Sequence, residues 1–220
     1  MKHNQFAVIG LGRFGSSLAL TLAKQGCHVL GVDDNEEIVN DMANKLTHAV
    51  MANATDEEAL RAIGVRNFDV IVVAIGTDIE ASIFATILLK ELGAKYVVAK
   101  ALSELHGRVL SKIGADKVVY PERDMGTRVA NQLVSPNLLD IIELSKDYSV
   151  AELSVPPRLS GYTIKDLDPR KKYGCSIVAI NKKSGVVIAP QATDLINEGD
   201  IMVIIGTNDQ IESFEKEVLD

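Results

Sequence analysis

One stretch, Phe6-Ala7-Val8-Ile9-Gly10-Leu11-Gly12-Arg13-Phe14-Gly15, constrains this chain more than any other. A short apolar run ends in G-x-G-x-x-G and passes straight into a helical pattern. Each glycine meets a separate demand. Gly10 allows the tight bend at the strand end, Gly12 lets the backbone approach a pyrophosphate, and Gly15 lets the helix pack close to the sheet. The amides of residues 13–16 then point at an anion from a helix N-terminus. A second apolar run, His28-Val29-Leu30-Gly31-Val32, ends at Asp33, eighteen residues after Gly15. That is where a carboxylate meets a ribose diol in this architecture. A glycine-rich turn that binds nothing is the competing reading. Strand, helix, strand and acid falling in register argue against it.

The alternation continues to about residue 120. Strands are expected at 6–10, 28–33, 47–51, 69–75, 96–99 and 117–120. Helices are expected at 14–25, 36–45, 56–63, 79–92 and 104–113. Runs such as Val70-Ile71-Val72-Val73-Ala74-Ile75 are continuously apolar, as a parallel sheet covered on both faces requires. The fold class is therefore α/β, with an N-terminal Rossmann-type, doubly wound parallel sheet. A helix at 121–134 follows, with Pro121 in its first turn. After the break at Ser135-Pro136, the run 137–144 is read as a second helix. Its two apolar pairs suggest docking on another subunit, with a linker helix folded back on its own chain as the alternative.

From about residue 147 the grammar changes. Short strand-like runs at 149–155, 175–181, 185–189 and 201–206 are separated by turn signals such as Pro156-Pro157 and Lys183-Ser184-Gly185. Short helices are expected at 163–168 and 208–218. This part reads as a small, mostly antiparallel α+β domain, marginal alone and suited to dimerisation. The expected boundaries are 1–120 for the nucleotide domain, 121–145 for crossover helices and linker, and 146–220 for the second domain.

Composition excludes several classes. The 23 basic and 30 acidic residues give a net charge of −7, and neither half carries the basic face of a nucleic-acid binder. No apolar run approaches the roughly 18 residues of a membrane span. The N-terminus leads into a strand rather than a signal peptide. A cytoplasmic chain is expected, whose membrane link, if any, comes through a partner. The two cysteines, Cys27 and Cys175, stand in no metal spacing and are expected as reduced thiols.

The candidate cofactor-binding residues cluster at strand ends. The loop Gly10, Leu11, Gly12, Arg13, Phe14 and Gly15 would cradle phosphates. Asp33 would take ribose hydroxyls, and like-charge repulsion of about 4 kcal/mol at ~4 Å disfavours a 2′-phosphate there. As a helix N-cap Asp33 has rivals in Asp34 and Asn35. Arg13 supplies charge-assisted donors, to phosphates in its own loop or a neighbouring subunit's, beyond what a dinucleotide needs, which favours ATP or ADP over NAD; a plain surface arginine is the competing reading. Asn53, Ala54 and Thr55 end the third strand where adenine would lie, although Thr55 or Asp56 could simply cap the next helix. Ile75 and Gly76 end the fourth strand. Lys100 and His106 are expected as exposed polar residues on the ligand side. The second domain has no histidine, the four being His3, His28, His48 and His106. It also lacks a general acid–base cluster, which weakens a dehydrogenase reading.

These residues carry a resemblance. The loop Gly10–Gly15, Asp33, Ala52-Asn53-Ala54-Thr55, Ile113-Gly114-Ala115-Asp116 and Tyr120-Pro121-Glu122 resemble the RCK (KTN) family. The second domain is similar to the RCK C-terminal (TrkA-C) module through Ile164, Leu167, Asp168, Arg170, Tyr173-Gly174-Cys175, Ala179-Ile180, Pro190 and Glu198-Gly199-Asp200. Within that family the chain most resembles the cytosolic gating subunits of bacterial Ktr potassium transporters. The resemblance implies homodimers assembling into a homo-octameric ring, peripheral to the inner face of the membrane, docked on a potassium-translocating subunit. It implies ATP and ADP favouring different ring shapes, with Arg13 reaching a γ-phosphate, also across subunits. Glu122 would help hold Mg2+ or another cation beside it. It further implies cyclic di-AMP bound between paired C-terminal domains at Ile164, Lys165, Arg170, Cys175, Ser176 and Pro190. Arg170 is the phosphate candidate there, unless it pairs with Asp166 or Asp168. The resulting expectation is a nucleotide-gated regulatory subunit, not an enzyme. The alternatives are an NAD(H)-binding redox regulator or oxidoreductase, and a scaffold with a vestigial nucleotide fold.

Overall fold

The computed structural model describes residues 4–135 and 137–219. His3 and the proline of the Ser135-Pro136 break lie outside the described residues. The chain divides into two compact units, one through Asp124 and one from Met125 onward.

The first unit alternates strand and helix: β1 Gln5–Ile9, α1 Arg13–Lys24, β2 His28–Asp33, α2 Glu36–Met42, β3 His48–Met51, α3 Glu57–Ala62, β4 Val70–Val73, α4 Ile79–Glu91, β5 Val97–Lys100, α5 Glu104–Lys112 and β6 Lys117–Val119. Its sheet has the order β3-β2-β1-β4-β5-β6, and every pairing is parallel. The sheet is covered on both faces. Ala7, Ile9, Val73, Leu89 and Leu110 fill one core, while Val8, Val29, Val72 and Ala19 fill the other. Strand order reverses between β1 and β4, so the crevice beyond their C-terminal ends is the ligand-binding position of such sheets. The helix ends follow local chemistry. Asn35, Asp56, Asp78 and Ser103 cap α2, α3, α4 and α5 through side-chain oxygens. Past the end of α4, Gly93 adopts φ +84°, its amide donates to Lys90 O and the Ala94 amide to Leu89 O, closing a Schellman motif.

α6, Pro121–Val134, leads into the second unit. There β7 Leu138–Glu143, β8 Tyr148–Ser154, β9 Ser176–Lys182, β10 Gly185–Ile188 and β11 Ile201–Thr207 form an antiparallel sheet of order β10-β9-β11-β8-β7. Short helices α7 Ile164–Leu167 and α8 Pro169–Lys172 precede β9, and α9 Asn208–Phe214 follows β11. The core holds Leu153, Ile180, Met202, Ile204 and Phe214, with Tyr173 edge-on to Phe214 at 5.4 Å.

One expectation fails here. The run 137–144 is not a second crossover helix but mostly the edge strand β7, paired antiparallel with β8 through Ile141↔Ala151 and Ile142↔Val150. The register shifts between Leu138 and Asp140. That irregularity breaks the period-two pattern and leaves two apolar pairs that also fit a helical stripe. The free edge of β8 and two β-branched isoleucines decide in favour of the strand. The run therefore packs in its own unit's sheet.

Asp69 ties the start of β1 to the loop before β4. Its carboxylate accepts the amides of Asn4 and Gln5 at 3.1 and 3.2 Å, and Lys95 Nζ at 3.3 Å. Those amides, then Lys95, hold its carboxyl below the usual carboxylate range. A lowered folded value contributes stability that is complete above the ordinary aspartate value of about 3.9 and is lost as pH falls through the lowered one. Urea midpoints of the wild type are expected to drop as pH falls below about 4, and to drop less steeply in Asp69→Asn.

Candidate functional site

The glycine loop takes its shape from two close approaches. Gly10 has φ +90°, and a Cβ there would lie 3.0 Å from Ile75 N. A Cβ on Gly15 would lie 1.8 Å from the Gly10 carbonyl oxygen. Only glycine at 15 lets α1 approach the β1 turn this closely. Gly12 differs: nothing lies within 4 Å of a Cβ built there, and its φ of −63° is open to any residue. The space beside Gly12 belongs to the cleft, not to the fold.

Asp33 fixes the loop from the other side. Leu11 N donates to Asp33 Oδ2 at 2.6 Å and Asn35 N to Oδ1 at 3.0 Å. The carboxylate thus joins the phosphate loop to the end of β2, with lone pairs left for further donors. It does not cap α2. Asn35 does, accepting from Glu37 N and Ile38 N at 2.9 and 3.3 Å.

Together these elements bound a cleft of about 470 Å³ at the sheet's switch point. Gly10, Gly12, Arg13, Phe14, Asp33, Asp34, Asn53, Ala54, Ile75, Gly76, Lys100 and Glu122 all line it, drawn from both sides of the reversal. Leu11 does not, because its side chain is buried in the core and its main chain serves the loop. Gly15 acts through packing. Thr55 is exposed and donates to Asn53 Oδ1 by amide and hydroxyl at 2.9 and 2.8 Å, ordering the loop before α3, which Asp56 caps. Sequence reasoning missed Ile38 and Asp78 as lining residues. Ile38 is the apolar residue one turn into the helix that follows the acidic strand end, a signal available in the sequence.

Lys100 and His106 are not exposed, contrary to expectation. Lys100 is 6% exposed and His106 3%. Lys100 reaches into the cleft, where Nζ donates to Glu122 Oε1 at 2.5 Å and lies 5.7 Å from the Phe14 ring centre. The Lys100 hydrogen bond holds the Glu122 carboxyl below its usual range, and the charge of Arg13 adds a smaller pull in the same direction. His106 lies away from the cleft lining. Its Nδ1 accepts the Leu102 amide at 3.3 Å, and burial lowers its pKa. It is buried near the start of α5.

In the second unit, main-chain bonds from Ile164 N to Asp194 O and from Lys165 N to Ala192 O set α7 against the segment that follows Pro190. Arg170 Nε donates to Ser176 Oγ at 3.2 Å. The alternative of an Arg170 ion pair with Asp166 or Asp168 is not found among the described residues. Asp166 instead closes a capping box with Thr163. Cys175 departs from the expected ligand set. It is fully buried, and burial pushes its thiol up to about 11. Its side chain packs under β11, where a Cβ on Gly206 would meet Cys175 Cβ at 3.0 Å. Among the described residues no cluster of three metal-ligating side chains occurs, and no helix is long and apolar enough to cross a membrane.

Comparison with known proteins accords with this geometry. Residues 6–121 match the TrkA-N domain and residues 150–219 the TrkA-C domain. The chain belongs to the TrkA-N/TrkA-C family. It is 48% identical to Ktr system potassium uptake protein C of Bacillus subtilis (strain 168), across 98% of this chain and 97% of that one. It is 47% identical to Ktr system potassium uptake protein A of the same organism, across 99% and 98%. The crystal structure of the GsuK RCK domain shares the fold, with a TM-score of 0.69 and 20% identity over all of this chain and 48% of that one. The TrkA-N unit of this chain is therefore the Rossmann-type half of an RCK-like architecture, and the TrkA-C unit its antiparallel half.

The two glycines of the TrkA-N loop separate folding from binding. Gly15→Ala is expected to cost about 3 kcal/mol in urea unfolding, because a backbone oxygen must move. Gly12→Ala is expected to stay within about 1 kcal/mol of wild type. It should nevertheless lose most of any thermal stabilisation by added adenine nucleotides.

Proposed function

We propose that this chain is the nucleotide-sensing regulatory subunit of a potassium uptake system, and not an enzyme. ATP and ADP would bind the TrkA-N cleft, and cyclic di-AMP the TrkA-C unit. The target would be a membrane potassium-translocating subunit. The observation that carries the reading is near-full-length similarity to Ktr potassium uptake proteins in a chain whose cleft combines an open phosphate loop, Asp33 and two cations. By this reading the chain works as homodimers in an octameric ring at the inner face of the membrane.

ATP and ADP share adenine, ribose and two phosphates, so only the γ-phosphate and its cation can separate two ring shapes. Arg13, exposed at the start of α1, is the residue free to make that distinction, in its own subunit or a neighbour's. Glu122 would hold a hard cation together with phosphate oxygens, one carboxylate being a sufficient protein share for such an ion. Shifting a population from 1:99 to 99:1 takes about 5.5 kcal/mol of differential binding, which contacts repeated around a ring can supply. In the TrkA-C unit, Arg170, bonded to Ser176, would offer the phosphate contact, and Ile164, Lys165 and Pro190 would complete the ligand surface. Cys175 would contribute main chain only.

A second reading has one observation in its favour. A GsuK channel bound to NAD aligns over this whole chain and 39% of that one, at 26% identity and a TM-score of 0.55. The Asp33 strand end suits the ribose of NAD as well as that of ATP.

Thermal unfolding with ATP, ADP, cyclic di-AMP and NADH, each added separately, tests the choice. Ligands that bind the native state raise the midpoint by mass action. Rises with ATP, ADP and cyclic di-AMP and little with NADH are expected. Arg13→Ala is expected to leave the ADP rise intact and bring the ATP rise down to it. A dominant NADH rise would favour the second reading.

A further inference from the structure

Lys100 is the most constrained charge in the TrkA-N unit. Its side chain is 8% exposed, whereas that of its partner Glu122 is 67% exposed. A buried ammonium is costly without an anion, so something must always face it. Glu122 fills that place from the first turn of α6, on a side chain with solvent to swing into. Nζ lies close to the start of α1. Phe14 belongs to the first turn of α1, and a Cβ on Gly76 would stand 2.9 Å from Nζ. Gly76 thus keeps the end of β4 clear for the ammonium, beside the N-terminus of a twelve-residue helix.

We propose that Lys100 is a phosphate-binding and specificity-determining residue of this cleft, held in reserve by Glu122 and surrendered by it when a nucleotide arrives. The inference rests on the nucleotide reading above and adds the exchange. A phosphate oxygen replaces Glu122 Oε1 on Nζ, and the carboxylate is released from the ammonium, free to face a cation when one is present. No bond is made or broken apart from this exchange of hydrogen bonds. Binding at the sheet is thereby coupled to the first turn of α6. That turn has other anchors: Arg123 pairs with Glu104 and lies over the Tyr120 ring at 3.9 Å, and Tyr120 packs against Gly107.

The exchange makes a prediction opposite in sign to a purely cation-holding Glu122. With divalent ions chelated by EDTA, Glu122→Gln is expected to bind ADP about tenfold more tightly, because the competing charge is gone. Lys100→Met is expected to bind ADP at least tenfold more weakly, with adenosine affinity changed less than twofold. The double variant should match Lys100→Met, since Glu122 acts on ADP only through Lys100. Titration calorimetry on the full-length chain reads all four proteins, with urea midpoints confirming that each is folded. Unchanged or weakened ADP binding in Glu122→Gln overturns the exchange, as does an indifferent Lys100→Met. If Glu122→Gln fails to fold, the Lys100→Met result decides alone. A wild-type chain that binds no adenine nucleotide overturns the nucleotide reading as well, so the two failures are distinguishable.

Discussion

The approach of α1 to the β1 turn is the contact on which the first unit depends. Residue 15 meets a backbone carbonyl where any other residue would carry a Cβ. Because α1 can come that close, its free amides open onto the end of the sheet rather than onto solvent. Asp33 then fastens the loop from β2 by accepting the Leu11 amide. A loop held from two sides keeps one shape, so little conformational freedom is left in it to be ordered.

Electrostatics in the cleft are less one-sided than a phosphate site would suggest. Asp33, Asp34, Asp78 and Glu122 line it with only Arg13 and Lys100 opposing them. Two of the acids are occupied structurally, Asp33 by backbone amides and Asp78 as the cap of α4. Glu122 alone is engaged by a side chain that a ligand could claim. The cleft therefore combines an end fixed by Asp33 with an end, at Lys100 and Glu122, whose charges can be rearranged.

The parallel sheet was legible in the sequence because its signals are local and redundant. Apolar runs, capping residues and glycines at strand ends all point the same way. That Gly10, Gly12, Asp33, Asn53 and Gly76 border one cleft followed from their positions at strand ends. Burial was harder to read. Lys100 and His106 are polar residues near a ligand edge, and nothing local states that β5 and α5 carry them inward. β7 was missed because an irregular strand mimics a helical stripe, and because the free edge it completes lies on a strand ten residues further on. Cys175 was expected among ligand contacts only through the family resemblance, and its thiol faces the core beneath Gly206.

The topological reversal between β1 and β4 also has a consequence for how the protein comes into being. The cleft takes its lining from residue 9 through residue 122, and its acidic and basic members come from separate crossovers. No emerging fragment that stops at β4 or β5 contains Glu122. A chain leaving the ribosome completes this pocket only after its sixth strand has docked and α6 has begun. A complete pocket is then a property of the whole first unit, which no shorter emerging chain can hold.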